Sequence, residues 1–200
     1  MLELVLASHN EHKRREFTRL LVKPRLGGHL QLLALPAEVM LPLEDGDTFA
    51  ENALPKARAG AAATGKVSIA DDSGIESPAL AGAPGVRSAR YAGEDASDEQ
   101  NLAKLLLEAP AHSALQYVCV IAYVDPVTTA ERVFEGRCAG RLAPAPRGEH
   151  GFGYDPAFLP DDGPAGLTMA ELSDAQKDAI SHRGHAARAM LRWLEQVDRG

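Results

Sequence analysis

Val67-Ser68-Ile69-Ala70-Asp71-Asp72-Ser73-Gly74 is the stretch on which the reading of this chain turns. Its apolar run predicts a buried strand over Val67 to Asp71, and the polar cluster with glycine predicts a functional loop at the strand end. Two adjacent carboxylates and a hydroxyl are hard oxygen ligands. That set suits Mg²⁺, which favours one or two carboxylates together with substrate phosphates. The same Asp-Asp-Ser-Gly is also ordinary turn chemistry, so the rest of the chain has to decide.

Working outward, Phe49 to Thr64 reads as an alanine-rich helix closed by Gly65 just past its last turn. Pro55 inside it predicts a kink, or a first turn that begins near Leu54. Further upstream, Leu2 to Ser8 reads as a buried strand and His9 to Val22 as a charged helix with Phe17, Leu20 and Leu21 inward. Leu30 to Leu35 is a second strand, running into a Pro/Glu/Asp loop from Pro36 to Asp47.

Downstream, Pro78 to Gly93 is a Gly/Pro/Ala loop too long to be idle in a compact domain. Glu94 to Ala109 is helical, with Leu102, Leu105 and Leu106 on one face. Leu115 to Val124 and Arg132 to Leu142 are strands joined across Asp125-Pro126, as in a hairpin. Phe152 to Leu159 is a last short strand. Ser173 with Gln176 forms a capping box, and Ala187, Met190, Leu191 and Leu194 make a helical stripe. An early strand-helix-strand followed by a hairpin predicts an α/β chain with a mixed sheet.

The 200 residues suffice for one domain, or one domain in two lobes. With 45% hydrophobic and 24% charged residues the composition is that of a globular protein. The formal net charge of −7 argues against a broad nucleic-acid footprint, so any phosphate binding has to be local. Cys119 and Cys138 lie in apolar, strand-like context without a CxxC, which predicts reduced core cysteines and a cytoplasmic protein. Leu2 to Leu6 is too short and too acidic for a signal peptide, and no apolar run is long enough to span a membrane.

Four constellations could carry chemistry. Ser8-His9-Asn10-Glu11-His12-Lys13 lies where the first strand enters the first helix, whose outward N–H groups and dipole favour an anion. Lys13 adds a point charge, although a solvated helix start has the same sequence. Glu44 precedes the helix that bears Lys56 and could join Asp72 around a metal. An exposed acidic loop and a solvated helical lysine are the plain alternatives.

The third constellation is Arg147-Gly148-Glu149-His150-Gly151-Phe152-Gly153-Tyr154-Asp155-Pro156. Phe152 and Tyr154 offer flat faces for a purine, Gly153 permits close backbone approach, and Asp155 can accept from ring N–H groups. The fourth is Lys177 with Ser181-His182-Arg183-Gly184, a donor-rich patch at a helix break that suits a carbonyl-bearing base edge or a phosphate. P-loop, nucleophile-elbow, zincin and dinucleotide-fold signatures are all absent from the sequence.

Taken together the chain resembles the inosine/xanthosine triphosphate pyrophosphatases, the family that clears non-canonical purine nucleotides. The likeness is collinear from Leu4 to Leu194. It rests on Leu4-Val5-Leu6-Ala7-Ser8-His9-Asn10, Thr48-Phe49-Ala50-Glu51-Asn52-Ala53, Ala70-Asp71-Asp72-Ser73-Gly74 and Gly82-Ala83-Pro84-Gly85-Val86-Arg87-Ser88-Ala89-Arg90-Tyr91. It continues through Gly151-Phe152-Gly153-Tyr154-Asp155-Pro156 and Ala179-Ile180-Ser181-His182-Arg183-Gly184.

The resemblance implies an elongated mixed sheet with flanking helices, forming two lobes around a nucleotide cleft. It implies Mg²⁺-dependent cleavage of ITP, dITP and XTP to the monophosphate and pyrophosphate, in a homodimer. It implies that Asp72 is the catalytic carboxylate and a metal ligand, with Glu44 as a second metal contact. By the same matching Ser8, His9, Asn10, Glu11, His12, Lys13 and Lys56 hold phosphates, and Ser73 sits at the substrate. Phe152 stacks on the base, and Gly153, Tyr154, Asp155, Lys177, His182 and Arg183 complete its pocket. The chain departs from the family pattern at His9 and His12, which stand in place of glycines, and at Pro55, in place of an apolar residue. Two other readings stay open: a purine-nucleotide-binding module without hydrolysis, and a pyrophosphatase that prefers standard nucleotides such as dTTP or UTP.

Overall fold

A computed structural model describes residues 2–22 and 30–197. Six strands form one mixed sheet in the order β2-β1-β3-β4-β5-β6. They are β1 (Leu2–Leu6), β2 (Leu30–Ala34), β3 (Ser68–Glu76), β4 (Ala114–Val124), β5 (Glu131–Leu142) and β6 (Phe158–Pro160). The helices are α1 (Glu11–Leu21), α2 (Phe49–Thr64), α3 (Asp98–Glu108), α4 (Asp174–Ile180) and α5 (His182–Val197). β1 pairs parallel with both β2 and β3, while β5 pairs antiparallel with β6. The parallel pairs require crossover helices, which α1 and α2 supply. Among the described residues no helix is long and apolar enough to cross a membrane.

The chain divides into two compact units. The first is Met1–Asp72, Cys119–Gly136 and Ala186–Gly200; the second is Ser73–Val118 and Arg137–His185. In the first, Leu4, Leu6 and Ile69 of the sheet pack with Phe17, Leu20 and Leu21 of α1 and with Ala187 and Met190 of α5. Each fully buried Leu or Phe contributes about 1.5–3 kcal/mol, so this stripe adds tertiary stability to an α1 sequence already rich in the good helix formers Glu, Lys, Arg and Leu. In the second, Ile75, Leu102, Leu105, Tyr117, Phe158 and Met169 form the centre of a separate core.

Local signals set most helix ends. Asn10 caps α1 by accepting from Lys13 N, and α2 opens on a Thr48/Glu51 capping box and closes on Gly65 in the left-handed region. The expectation that the first turn of α2 begins near Leu54 is corrected: the helix begins at Phe49 and continues through Pro55. Loss of one helix bond at proline is outweighed by two good caps and a buried face that includes Phe49, Ala53, Ala57 and Ala61. α2 also lies close to the sheet, because a side chain on Gly60 would collide with Ser68 Oγ and stand 2.9 Å from Ala7 Cβ.

Two strand expectations are corrected. β3 does not end in a turn at Asp71; it runs on through Asp72, Ser73 and Gly74 to Glu76. Its residues are buried on both faces for most of its length, the environment of a central strand rather than of a half-exposed one. Conversely, Phe152, Gly153 and Tyr154 are not strand. Gly151 and Gly153 take positive φ, Asp155 N donates back to Phe152 O at 3.3 Å, and regular pairing begins only at Phe158.

Candidate active site

In the first unit, β3 brings Asp71 and Asp72 into the interior, 1% and 4% exposed. Such burial demands partners, and α1 and α2 provide them. Lys13 Nζ stands 3.2 Å from Asp71 Oδ1. Lys56, itself buried, donates from Nζ to Asp71 O at 2.7 Å and also pairs with Glu44. Asn52 Nδ2 donates to Asp72 Oδ2 at 2.9 Å. Cys119 Sγ faces Asp71 Oδ2 at 3.9 Å.

Burial pushes the Asp72 carboxyl above the usual carboxylate range. The Lys56 charge pulls it down, Glu44 pushes it up, and the Asn52 hydrogen bond and Lys13 lower it. A carboxylate whose ionised form is penalised by desolvation and by a like charge gains from any cation placed beside it.

Asp72 and Glu44 therefore fit Mg²⁺ by donor chemistry: two hard carboxylates, with room in the coordination for phosphate oxygens. Among the described residues no group of three or more His, Cys, Asp or Glu forms an all-protein metal cluster.

The Ser8–Lys13 segment divides. Ser8 Oγ accepts from Asn10 N at 3.2 Å, Asn10 Oδ1 accepts from Lys13 N at 3.0 Å, and the Lys13 side chain reaches Asp71. His9 turns away, its Nε2 3.0 Å from Val39 O. The Glu11 carboxylate is engaged by Arg14, and His12 is exposed. Lys13 is the member whose side chain joins the buried carboxylates.

The second unit assembles the remaining residues. Asp155, 3% exposed, accepts from Tyr117 Oη at 3.1 Å, from Lys177 Nζ at 2.6 Å and from Phe152 N at 3.0 Å. Three of its roughly four lone-pair positions are thus used inside the protein. His182 is buried and stacks on Tyr117, ring centroids 4.5 Å apart and planes 6° from parallel. Lys177 Nζ and the Arg183 guanidinium lie 5.2 and 5.7 Å from the Phe152 ring centre. Arg183, 1% exposed, donates from Nη2 to Ser73 Oγ at 2.8 Å. Gly153 N donates to Asp98 Oδ2 at 2.8 Å.

Tyr154 corrects an expectation. It is not an exposed face but 5% exposed within the core, with its Oη donating to Ser88 O at 2.7 Å. Phe152 is half-buried. Sequence reasoning passed over Tyr117, whose position on an apolar strand reads as core, and gave Asn52 no role of its own. The signal available for Asn52 was a polar residue one turn before Lys56 on the same face of α2.

The Ham1 family profile matches residues 4–193. The chain is 45% identical to the dITP/XTP pyrophosphatase of Corynebacterium glutamicum (strain R), across 98% of each chain. It is 44% identical to the dITP/XTP pyrophosphatase of Cutibacterium acnes, across 96% of this chain and 95% of that protein. A HAM1 protein structure from Coxiella burnetii superposes with a TM-score of 0.84 at 38% identity, covering 98% of this chain and 100% of the other. The Staphylococcus aureus Ham1 structure gives 0.81 at 40% identity, covering 97% and 98%.

Proposed function

The chain belongs to the Ham1 family, and from that premise we propose how it acts. It hydrolyses non-canonical purine nucleoside triphosphates (ITP, dITP and XTP) to the nucleoside monophosphate and pyrophosphate. The observation that carries this reading is the buried Asp72, held by Asn52 with Lys56 and Glu44 near enough to shift its charge.

Asp72 orients the attacking water and takes its proton as the oxygen bonds to the α-phosphorus. The bridging P–O bond breaks and pyrophosphate leaves with the electron pair. Lys13, Lys56 and the N-terminal amides of α1 neutralise phosphate charge, the main requirement of a metaphosphate-like transition state. Asp72 and Glu44 would hold Mg²⁺, which when bound would draw charge from the phosphate oxygens and acidify water.

Phe152 stacks on the base, while Arg183 and His182 direct donors at a purine 6-oxo group. Against the 6-amino group of adenine such a buried donor would be left unpaired, at about 1–3 kcal/mol or roughly 10- to 100-fold per contact. Asp155 and Tyr154, engaged with their neighbours, complete this region. Ser8, His9, Asn10, Glu11 and His12 flank the phosphates, with His9 fixing the loop after β2 through Val39.

We take the protein to be cytoplasmic, as its two free cysteines suggest, and homodimeric, as its family likeness suggests. Light scattering should then give about twice the 21.3 kDa chain mass.

The deciding experiment is product analysis after incubation with ITP or ATP, with and without Mg²⁺. Inosine monophosphate and pyrophosphate, formed only with Mg²⁺ and far faster than any products of ATP, are the expected result. Equal turnover of ATP would remove the 6-oxo donor argument, and no turnover of either would leave a binding module.

A further inference from the structure

The amide of Asn52 has two faces and both are committed. Its Nδ2 donates to Asp72 Oδ2 at 2.9 Å, and its Oδ1 accepts from Gly46 N at 2.8 Å. The residue is 2% exposed, so both bonds lie away from bulk solvent. Nitrogen must face the carboxylate and oxygen the N–H, which fixes the orientation of the amide. Gly46 lies two residues beyond Glu44. A Cβ added there would stand 2.9 Å from Asn52 Oδ1 and 2.6 Å from Glu51 Cβ, so only glycine lets the loop approach this closely. Asp47 N and Thr48 N both donate to Glu51 Oε2, at 3.0 and 2.9 Å, and tie the end of the same loop to α2.

We propose that Asn52 is a positioning residue that sets Asp72 and the Glu44 loop in register for a shared divalent cation. The inference rests on the reading above that Asp72 and Glu44 are the cation's protein ligands. An amide carries its donor and its acceptor on separate atoms, so at this position it donates to a carboxylate and accepts from a backbone N–H together. Aspartate offers no donor to Asp72, and leucine offers neither half. By holding both carboxyl-bearing segments from one buried side chain, α2 determines their separation before any cation arrives. Groups that orient metal ligands from behind typically change metal affinity by about 10- to 100-fold when removed.

The test uses Mn²⁺ alone as probe, titrated by electron paramagnetic resonance against wild type, Asn52→Leu, Gly46→Ala, Glu44→Gln and Asp72→Asn. ITP kinetics and thermal unfolding accompany each titration. Asn52→Leu is expected to weaken Mn²⁺ binding by about 10- to 100-fold and to lower kcat over a similar range, with a smaller change in KM. Gly46→Ala should weaken Mn²⁺ in the same direction by pushing the loop from Asn52. A variant at Asn52 that lowers the melting temperature but leaves Mn²⁺ affinity and kcat at wild-type levels overturns the inference and leaves Asn52 a purely structural tie. If Asn52→Leu fails to fold, Asn52→Ser, smaller and without an amide, is read by the same criteria. If Glu44→Gln and Asp72→Asn leave Mn²⁺ binding unchanged, the assignment of those ligands fails and this inference falls with it. If they weaken binding and Asn52→Leu does not, the inference alone fails.

Discussion

Arg183 and Ser73, 110 positions apart in the chain, meet at 2.8 Å, the guanidinium Nη2 donating to the serine Oγ. Ser73 follows Asp72 directly, so the residue proposed to select the base is tied to the strand proposed to carry out hydrolysis. Ser73→Ala would leave a buried guanidinium proton without this acceptor, at about 1–3 kcal/mol. The expected outcome is a roughly 10-fold or greater fall in kcat/KM for ITP together with a reduced preference for ITP over ATP. Steady-state kinetics with both substrates check it. A fall equal for both would separate Ser73 from base selection.

Asp72→Asn should abolish turnover yet leave the metal-free protein more stable than wild type at neutral pH. The sign follows from the raised folded-state value of Asp72, caused first by burial. Its stabilising contribution is full below the ordinary carboxylate value of 3.8 and is lost as pH rises through the higher folded value. Asparagine carries no such dependence. In EDTA the melting temperature of the variant should therefore exceed that of wild type at pH 7, with the gap closing as pH falls toward 4.

Tyr117→Phe keeps the ring that stacks on His182 and removes the proton given to Asp155. Asp155 then has one unpaired oxygen, and its hold on Lys177 loosens. KM for ITP should rise by about 10-fold while kcat changes little, the energy of one buried hydrogen bond to a charged group. Kinetics and thermal unfolding separate this from a general loss of packing, which would lower kcat and stability together.

Cys138 should resist alkylation in the native state. Burial, aided by the charges of Asp162, Asp155 and Asp161, pushes its thiol up to about 12, so almost no thiolate exists at pH 8. Cys119 is equally enclosed. Intact mass after iodoacetamide should show no adduct on the folded protein and two after unfolding in guanidinium. A fast single adduct would mean that one of these cores opens readily.

The sequence by itself determined what depends on neighbours a few residues apart. The span Phe49 to Thr64, its closure at Gly65, the Ser173/Gln176 capping box and the buried stripe of Phe17, Leu20 and Leu21 were all legible. Helix periodicity and end-capping are local, so one chain segment contains the whole argument. The mixed sheet followed from the order of those elements, and the collinear motifs pointed to the family.

Tertiary structure decided whether polar residues were turn, surface or interior. Asp71-Asp72-Ser73-Gly74 has the composition of a turn, yet it is central strand, because Lys13, Lys56, Asn52 and Arg183 arrive from distant elements to partner its buried groups. Phe152 to Tyr154 has the composition of a strand, yet two left-handed glycines and the triply bonded Asp155 fold it into a turn. Lysines 56 and 177 and Arg183 would be solvated in isolated helices, and they are buried here. The physical reason is the same throughout: a buried charge is tolerated only beside its partner, and those partners lie in segments that only the folded chain brings together.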